Sequence, residues 1–139
     1  MSNNDSKSFP AFGYELIRDH VLSSILGKHE DDILYWAGKE LARKFPCGDL
    51  QLITSFFEDA GWGNLTLEKE SKDSYIFQLT SDTDQLNISK RSFRLEAGFI
   101  AEQIQSVNGF LTECYEEKKE KQQLISFQVK WDLKERITQ

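Results

Sequence analysis

The sequence predicts an α+β fold in which a helical layer packs on an antiparallel sheet of about four strands, in the order ααα-ββ-α-ββ. Apolar residues recur every three to four positions before Gly61-Trp62-Gly63 and every second position directly after it. These are the periods of helices and of strands, respectively. The predicted strands come in pairs separated by short polar turns, as in antiparallel hairpins, and their apolar face requires a helical cover.

Three helices are predicted before this change of period, at about 12–26, 31–45 and 50–60. In the first helix, Ile17, Val21 and Ile25 form an apolar stripe, one turn apart from each other, which Leu22 and Leu26 widen. The second helix has a longer apolar stripe, which comprises Ile33, Ala37, Leu41 and Phe45 and is broadened by Leu34 and Gly38. Asp49 is a predicted N-cap for the third helix, because its side chain can accept a bond from the first turn.

The strands and the last helix follow from the remaining apolar pattern. A first hairpin is predicted at about 65–68 and 75–79, with a turn at 71–74 and a loop at 81–91. A fourth helix is predicted from 93 to 107 and ends at Asn108-Gly109. The closing hairpin pairs 110–116 with the strictly alternating strand 125–133, across a charged turn at 117–121.

The length of 139 residues corresponds to one domain, which we expect to span 9–133. The polar residues 1–8 are predicted to be a disordered tail, and 134–139 a frayed end. A net charge of −6 argues against a nucleic-acid partner, which requires a basic face.

Compartment and membrane topology follow from what the sequence lacks. It holds no run of about 18 apolar residues and no apolar stretch near its start, which predicts no membrane span and no signal peptide. With only two cysteines, Cys47 and Cys114, we expect a cytoplasmic protein without a disulfide framework.

The sequence contains no strong catalytic motif and no paired set of metal ligands. Gly61-Trp62-Gly63 lacks the further glycine of a dinucleotide loop and precedes a strand. His20, His29, Cys47 and Cys114 show no paired ligand spacing, so no metal site is predicted. We therefore expect a protein that is not an enzyme and that carries no cofactor.

Several segments carry a resemblance to a known family and together cover about 12–133. The quoted segments are Gly13-Tyr14-Glu15-Leu16-Ile17-Arg18, Ile33-Leu34-Tyr35-Trp36-Ala37-Gly38-Lys39-Glu40-Leu41-Ala42, Gly61-Trp62-Gly63, Phe93-Arg94-Leu95-Glu96-Ala97-Gly98-Phe99-Ile100-Ala101-Glu102-Gln103 and Phe127-Gln128-Val129-Lys130-Trp131. With these segments the chain resembles the YslB-like family of small Gram-positive proteins. More distantly, it is similar to the TRAPP-subunit and vinyl-reductase-like domains.

The distant resemblance implies a helical layer on an antiparallel sheet, dimerisation through helices and, in several members, an apolar ligand. TRAPP-type relatives carry a lipid-binding pocket near a cysteine, so Cys47 is a candidate for a reactive or acylated thiol. The alternative is that Cys47 is simply a small buried residue. Metal-binding members use segments rich in cysteine or histidine, whereas 111–124 offers only Cys114.

Two functions are therefore predicted. The first is an interaction module, forming a homodimer through the helices or binding another protein, with Tyr35, Trp36 and Gly38 in the interface. The alternative is a binding protein for a lipid or hydrocarbon held between helices and sheet. Its pocket would be lined by Phe57, Phe77, Phe99 and Phe127, although these rings could equally pack only against one another.

Overall fold

The computed structural model describes residues 11–82 and 86–137. The predicted disordered tail 1–8 and the residues 138–139 lie outside the described part of the chain. The α-helices are α1 (Ala11–Glu15), α2 (Leu22–Leu26), α3 (Glu30–Lys44), α4 (Leu50–Asp59) and α5 (Arg94–Asn108). The strands are β1 (Asn64–Glu70), β2 (Ser74–Thr80), β3 (Phe110–Lys119) and β4 (Leu124–Arg136).

The four strands form one antiparallel sheet in the spatial order β1-β2-β4-β3. The prediction of an α+β fold with helices on an antiparallel sheet is confirmed. Side chains on one face of β2 and β4 are buried, and Phe77 lies directly opposite Phe127 across the two central strands. The helices cover this face, with α5 against β3 and α4 against β1.

The first predicted helix is divided into three parts. Between α1 and α2, residues Leu16–Val21 form a π-helix, a wider turn that holds one more residue than an α-helical turn. A 3-10 turn, Gly27–His29, then leads into α3. The prediction of a single helix over 12–26 is therefore correct in extent, whereas periodicity alone did not reveal the π-helical middle.

Helix α3 buries one edge of the apolar stripe that the sequence predicts, the edge that contains Leu34 and Gly38. Leu34, Gly38 and Ala42 are buried, whereas Ile33 and Phe45 of the predicted stripe are exposed. The buried stripe is one residue further along because α3 crosses α5 at Gly38. A Cβ atom at this position would lie 2.1 Å from the backbone oxygen of Leu95.

Local signals place most of the element ends correctly. Asp49 caps α4, with its carboxylate accepting a 2.8 Å hydrogen bond from the amide of Leu52. Gly109 follows α5 in the left-handed conformation.

Strand β4 extends to Arg136, so the chain is ordered beyond Leu133, where the sequence predicts the end of the domain. Arg136 pairs with Phe110, and the amide of Ile137 donates to the carbonyl of Gly109 over 3.0 Å. Between the pairs Phe110–Arg136 and Thr112–Trp131 the register shifts, so residues 132–135 form a bulge. The predicted turn at 117–121 is also shorter, since β3 continues to Lys119.

A membrane-spanning helix would need a long apolar stretch. None of the helices within 11–82 and 86–137 is long and apolar enough to cross a bilayer.

Candidate interaction surface

The N-terminal helical segment, residues 11–26, presents five of its large apolar side chains to solvent. We call these side chains the outer stripe; they are Phe12, Leu16, Ile17, Val21 and Ile25. Their exposed fractions range from 41% for Leu16 to 72% for Ile25. Ile17, Val21 and Ile25 are the apolar stripe that the sequence predicts, and the structure shows that nothing in the described part of the chain covers it.

The opposite side of the same segment faces the domain and carries charged side chains beside the half-buried Leu22 and Leu26. Arg18 is buried there, in an ion pair of 2.6 Å with the fully buried Glu96 of α5. The π-helix lets the next residue, Asp19, also reach the domain, where it pairs with Arg91. The amphipathic segment is therefore docked with its charged side inward, the reverse of the usual arrangement.

Of the three residues predicted in a dimer interface, Trp36 alone is exposed, at 61%. Gly38 lies where α3 crosses α5, in contact with the backbone of α5. Tyr35 is half-buried, and its hydroxyl oxygen accepts a 3.3 Å hydrogen bond from the amide of Cys114. Gly38 and Tyr35 thus take part in the internal packing, and Trp36 is the one of the three that is exposed at the surface.

The four phenylalanines predicted to line a ligand pocket do converge at the boundary between helices and sheet. Phe57, Phe77, Phe99 and Phe127 are all at most 1% exposed and belong to one buried cluster. The rings of Phe57 and Phe99 are in edge contact at 6.0 Å. These side chains fill the boundary by packing on one another and on their neighbours.

Cys47, the predicted reactive thiol, lies in the connection between α3 and α4 and is 9% exposed. Its amide donates a 3.1 Å hydrogen bond to the side-chain oxygen of Gln103. Burial, together with the nearby Asp49 carboxylate, raises the pKa of the Cys47 thiol. A raised pKa lowers the fraction of reactive thiolate at neutral pH.

The cluster around Tyr35 combines aromatic and charged groups. The Arg94 guanidinium lies 4.1 Å from the centre of the Tyr35 ring and pairs with Glu116 over 2.9 Å. Burial raises the pKa of Tyr35 to about 12 and raises that of the fully buried Cys114 thiol as well. Within 11–82 and 86–137, no three His, Cys, Asp or Glu side chains are grouped to hold a metal ion.

Sequence reasoning missed a groove of about 640 Å³ on the sheet, beside the β4 bulge. Leu111, Tyr115 and Leu133, all at least 44% exposed, lie along it. The outward alternation of Leu111 and Tyr115 on β3 was a usable signal. Leu133 was not predictable in this role because the bulge breaks the alternation of β4.

Comparison with known proteins gives one family match, and it covers most of the chain. A family model described as protein of unknown function (DUF2507) matches residues 11–130. The uncharacterized protein YslB of Bacillus subtilis (strain 168) is 44% identical over 130 residues, which are 91% of this chain and 88% of that protein. These matches confirm the resemblance to the YslB-like family that the sequence motifs indicate.

Solved structures with the same fold are more distant. A vinyl-4-reductase family protein from Methanocaldococcus jannaschii has a TM-score of 0.67 at 15% identity, over 92% of this chain and 85% of that one. A trafficking protein particle complex subunit 3 from Naegleria fowleri, covalently bound to palmitic acid, has a TM-score of 0.51 at 14% identity, over 93% and 92%. At these identities the likeness shows a shared fold and no more.

Proposed function

Because this chain belongs to the DUF2507 family of proteins of unknown function, we propose a function from its own surfaces. It acts as a non-enzymatic protein-interaction module and forms a homodimer through the outer stripe. The observation that carries this proposal is the outward orientation of an apolar helical face beside a docked, charged inner face. Exposed apolar clusters of this kind are typical of interaction sites.

The size and chemistry of the outer stripe suit a contact between two copies. A standard interface buries roughly 800 Å² on each partner and has an apolar centre with a polar rim. Five large apolar side chains on adjacent helical turns, each at least 41% exposed, supply such a centre. A two-fold axis through the stripe would bring the same five side chains together from both copies, as in most homodimers.

A lipid surface is a less suitable partner for the same stripe. Helices that lie in a membrane interface carry lysines and arginines that attract anionic head groups. Within residues 11–26 the only such cation is Arg18, and its charge is buried against Glu96. A net charge of −6 for the whole chain further disfavours an anionic surface. The two free cysteines support a reducing compartment, which we propose is the cytoplasm.

Sedimentation analysis of the full chain tests the proposal, with Leu16→Glu and Leu133→Glu as a matched pair of variants. The two leucines are 41% and 44% exposed, but Leu16 lies on the outer stripe and Leu133 on the sheet. We expect wild type and Leu133→Glu to be dimers at micromolar concentration and Leu16→Glu to be a monomer. A monomeric wild type, or a dimer that tolerates Leu16→Glu, would count against the proposed contact.

A substitution at Trp36 tests whether the interface extends beyond the N-terminal segment. Trp36 lies on α3, the next helix along the chain, and α2 is tied to the start of α3 by a 2.8 Å bond from Ser23 to Glu30. If the interface includes α3, Trp36→Ala weakens the dimer measurably. Unchanged association would restrict the contact to the outer stripe.

A binding protein for an apolar small molecule is the second candidate function. The observation that favours it is the aromatic boundary between helices and sheet, together with the palmitic acid carried by one structural neighbour. A ligand here would have to displace the packed rings of residues such as Phe57 and Phe99. Native mass spectrometry of freshly purified protein tests this candidate: added mass supports it, and an added mass that hydroxylamine removes would indicate an acyl thioester at a cysteine.

A further inference from the structure

Charged pairs dominate the contact between the N-terminal segment, residues 11–26, and the rest of the domain. Arg18 pairs with Glu96 over 2.6 Å, and Asp19 pairs with Arg91 over 2.7 Å. All four side chains are at most 4% exposed. We call these two ion pairs the latch.

Neutral groups extend the latch on both sides of the contact. The guanidinium of Arg18 also donates to the hydroxyl of Tyr14 and, over 3.0 Å, to the carbonyl of Ser92. The side-chain amide of Asn87 donates to the Asp19 carboxylate over 2.9 Å. Asn87 has a φ of +51°, in the left-handed region that asparagine adopts more readily than most residues.

Apolar packing contributes less to this contact. Tyr14 is the only residue of the segment among the partly buried apolar side chains that pack on the buried core. Leu22 and Leu26 are half-buried, whereas the five apolar side chains of the outer stripe are exposed to solvent. The position of the segment on the domain therefore depends mainly on charged and polar partners.

Buried ion pairs contribute little net stability, because desolvation offsets their attraction, but leaving one partner unpaired is strongly unfavourable. Their arrangement can therefore select one packing geometry over another. The alternative packing here would place the apolar face of the segment against the domain, as in most amphipathic helices. With Arg18 and Asp19 inward and paired, the apolar face is left outward.

We propose that the latch is the device that keeps the apolar side of the N-terminal segment on the outside of the protein. Arg18 and Asp19 are positioning residues for the outer stripe. Their ion-pair partners on the domain are Glu96 and Arg91, respectively. When the latch is broken, the segment detaches at Gly27, the residue with positive φ that joins it to α3. This inference rests on the proposed function only in taking the outer stripe as the contact surface.

Hydrogen–deuterium exchange of the full chain tests the latch, with Arg18→Met and Arg43→Met as the matched variants. Arg43 also forms ion pairs, with Glu40 and Glu102, but its side chain is 54% exposed. We expect Arg18→Met to speed amide exchange in 11–26 at least tenfold while α5 stays protected, and Arg43→Met to change neither. Exchange in 11–26 within twofold of wild type would overturn the proposal.

Asp19→Asn is the second variant, for the case in which Arg18→Met loses protection throughout the protein. It leaves the Arg91 guanidinium without its carboxylate partner, but Arg91 lies outside α5 and the pair of Arg18 with Glu96 stays intact. Faster exchange confined to 11–26 therefore supports the latch, and unchanged exchange overturns it. Sedimentation of the same samples separates the two proposals. A monomeric wild type would contradict the homodimer proposal. The exchange rates test the latch proposal independently of the oligomeric state.

Discussion

Gly38 of α3 and Gly98 of α5 each lie against the backbone of the other helix. A Cβ atom on Gly38 would lie 2.1 Å from the carbonyl oxygen of Leu95, and one on Gly98 would lie 2.1 Å from that of Tyr35. Neither backbone atom can move aside as a flexible side chain would. The two glycines therefore set the distance between α3 and α5, and with it the position of Phe99 over the sheet.

Replacing either glycine by alanine should destabilise the protein. Helix propensity alone predicts a gain of about 1 kcal/mol for Gly→Ala in a helix interior. The steric contact opposes this gain, and forced separation of packed elements costs about 1–3 kcal/mol or more. We expect Gly38→Ala and Gly98→Ala to lower the free energy of unfolding in urea. An increase would contradict the close crossing.

Gln103 should be a larger contributor to stability than its polar character suggests. Its side chain accepts from the amide of Cys47 and donates to the carbonyls of Ala42 and Phe45, at 2.8–3.4 Å. Gln103→Leu would remove these partners from the amide of Cys47 and the carbonyl of Ala42, at about 1–3 kcal/mol for each buried group left unpaired. We expect a loss of about 2 kcal/mol or more in urea unfolding, whereas Gln128→Leu, on the exposed side of β4, should change little.

Acid should release the N-terminal segment before it unfolds the core. Burial raises the pKa of the Asp19 carboxyl. Hydrogen bonds from Arg91 and Asn87, together with the positive charges of Arg91 and Arg18, outweigh burial and hold this pKa below its usual value. The Asp19 carboxylate therefore stabilises the docked segment fully at pH values above its pKa in the undocked segment, about 3.9. This stabilisation is lost as the pH falls through the lower pKa that Asp19 has in the docked segment.

Exchange of residues 11–26 is the measurement for this acid release. Below about pH 4, once the intrinsic pH dependence of exchange is corrected, the segment should lose protection while α5 keeps it. In Asp19→Asn the same transition should be absent. A transition of equal size in both proteins would show that another group is responsible.

Both thiols should react slowly in the native protein. Cys114 is fully buried and Cys47 is 9% exposed, and burial raises the pKa of each thiol. Because the thiolate is the reactive form, we expect labelling by a disulfide reagent to be at least about tenfold slower than in denaturant. Cys47→Ser isolates the signal of Cys114. Rapid labelling of native Cys47 would instead favour a reactive or acylated thiol at this position.

The secondary structure was predictable where the signal is local. Asp49 and Gly109 mark helix ends by backbone chemistry that involves only neighbouring residues. The alternation of Ile125, Phe127 and Val129 likewise predicts a strand with one buried face, and all three side chains are buried. The bulge at 132–135 was not predictable, because it depends on how β3 and the far end of β4 pair.

The candidate site was predictable only in part. The sequence contains the apolar stripe of Ile17, Val21 and Ile25, and the structure exposes it. Gly38 was predicted to lie in a dimer interface, but the close helix contact that it makes lies within the chain. A glycine in a helix indicates that something approaches closely, and the sequence alone does not say whether the approaching element is its own or a partner's.

The sequence by itself determined the order of helices and strands, most of their ends and which helices are amphipathic. These features depend on residues within a few positions of each other. Tertiary structure alone decided which side of each helix is buried. Arg18 and Glu96 are 78 positions apart, and their ion pair turns the N-terminal segment outward. The crossing at Gly38 similarly shifts the buried stripe of α3 by one residue, because the choice of face depends on contacts between distant parts of the chain.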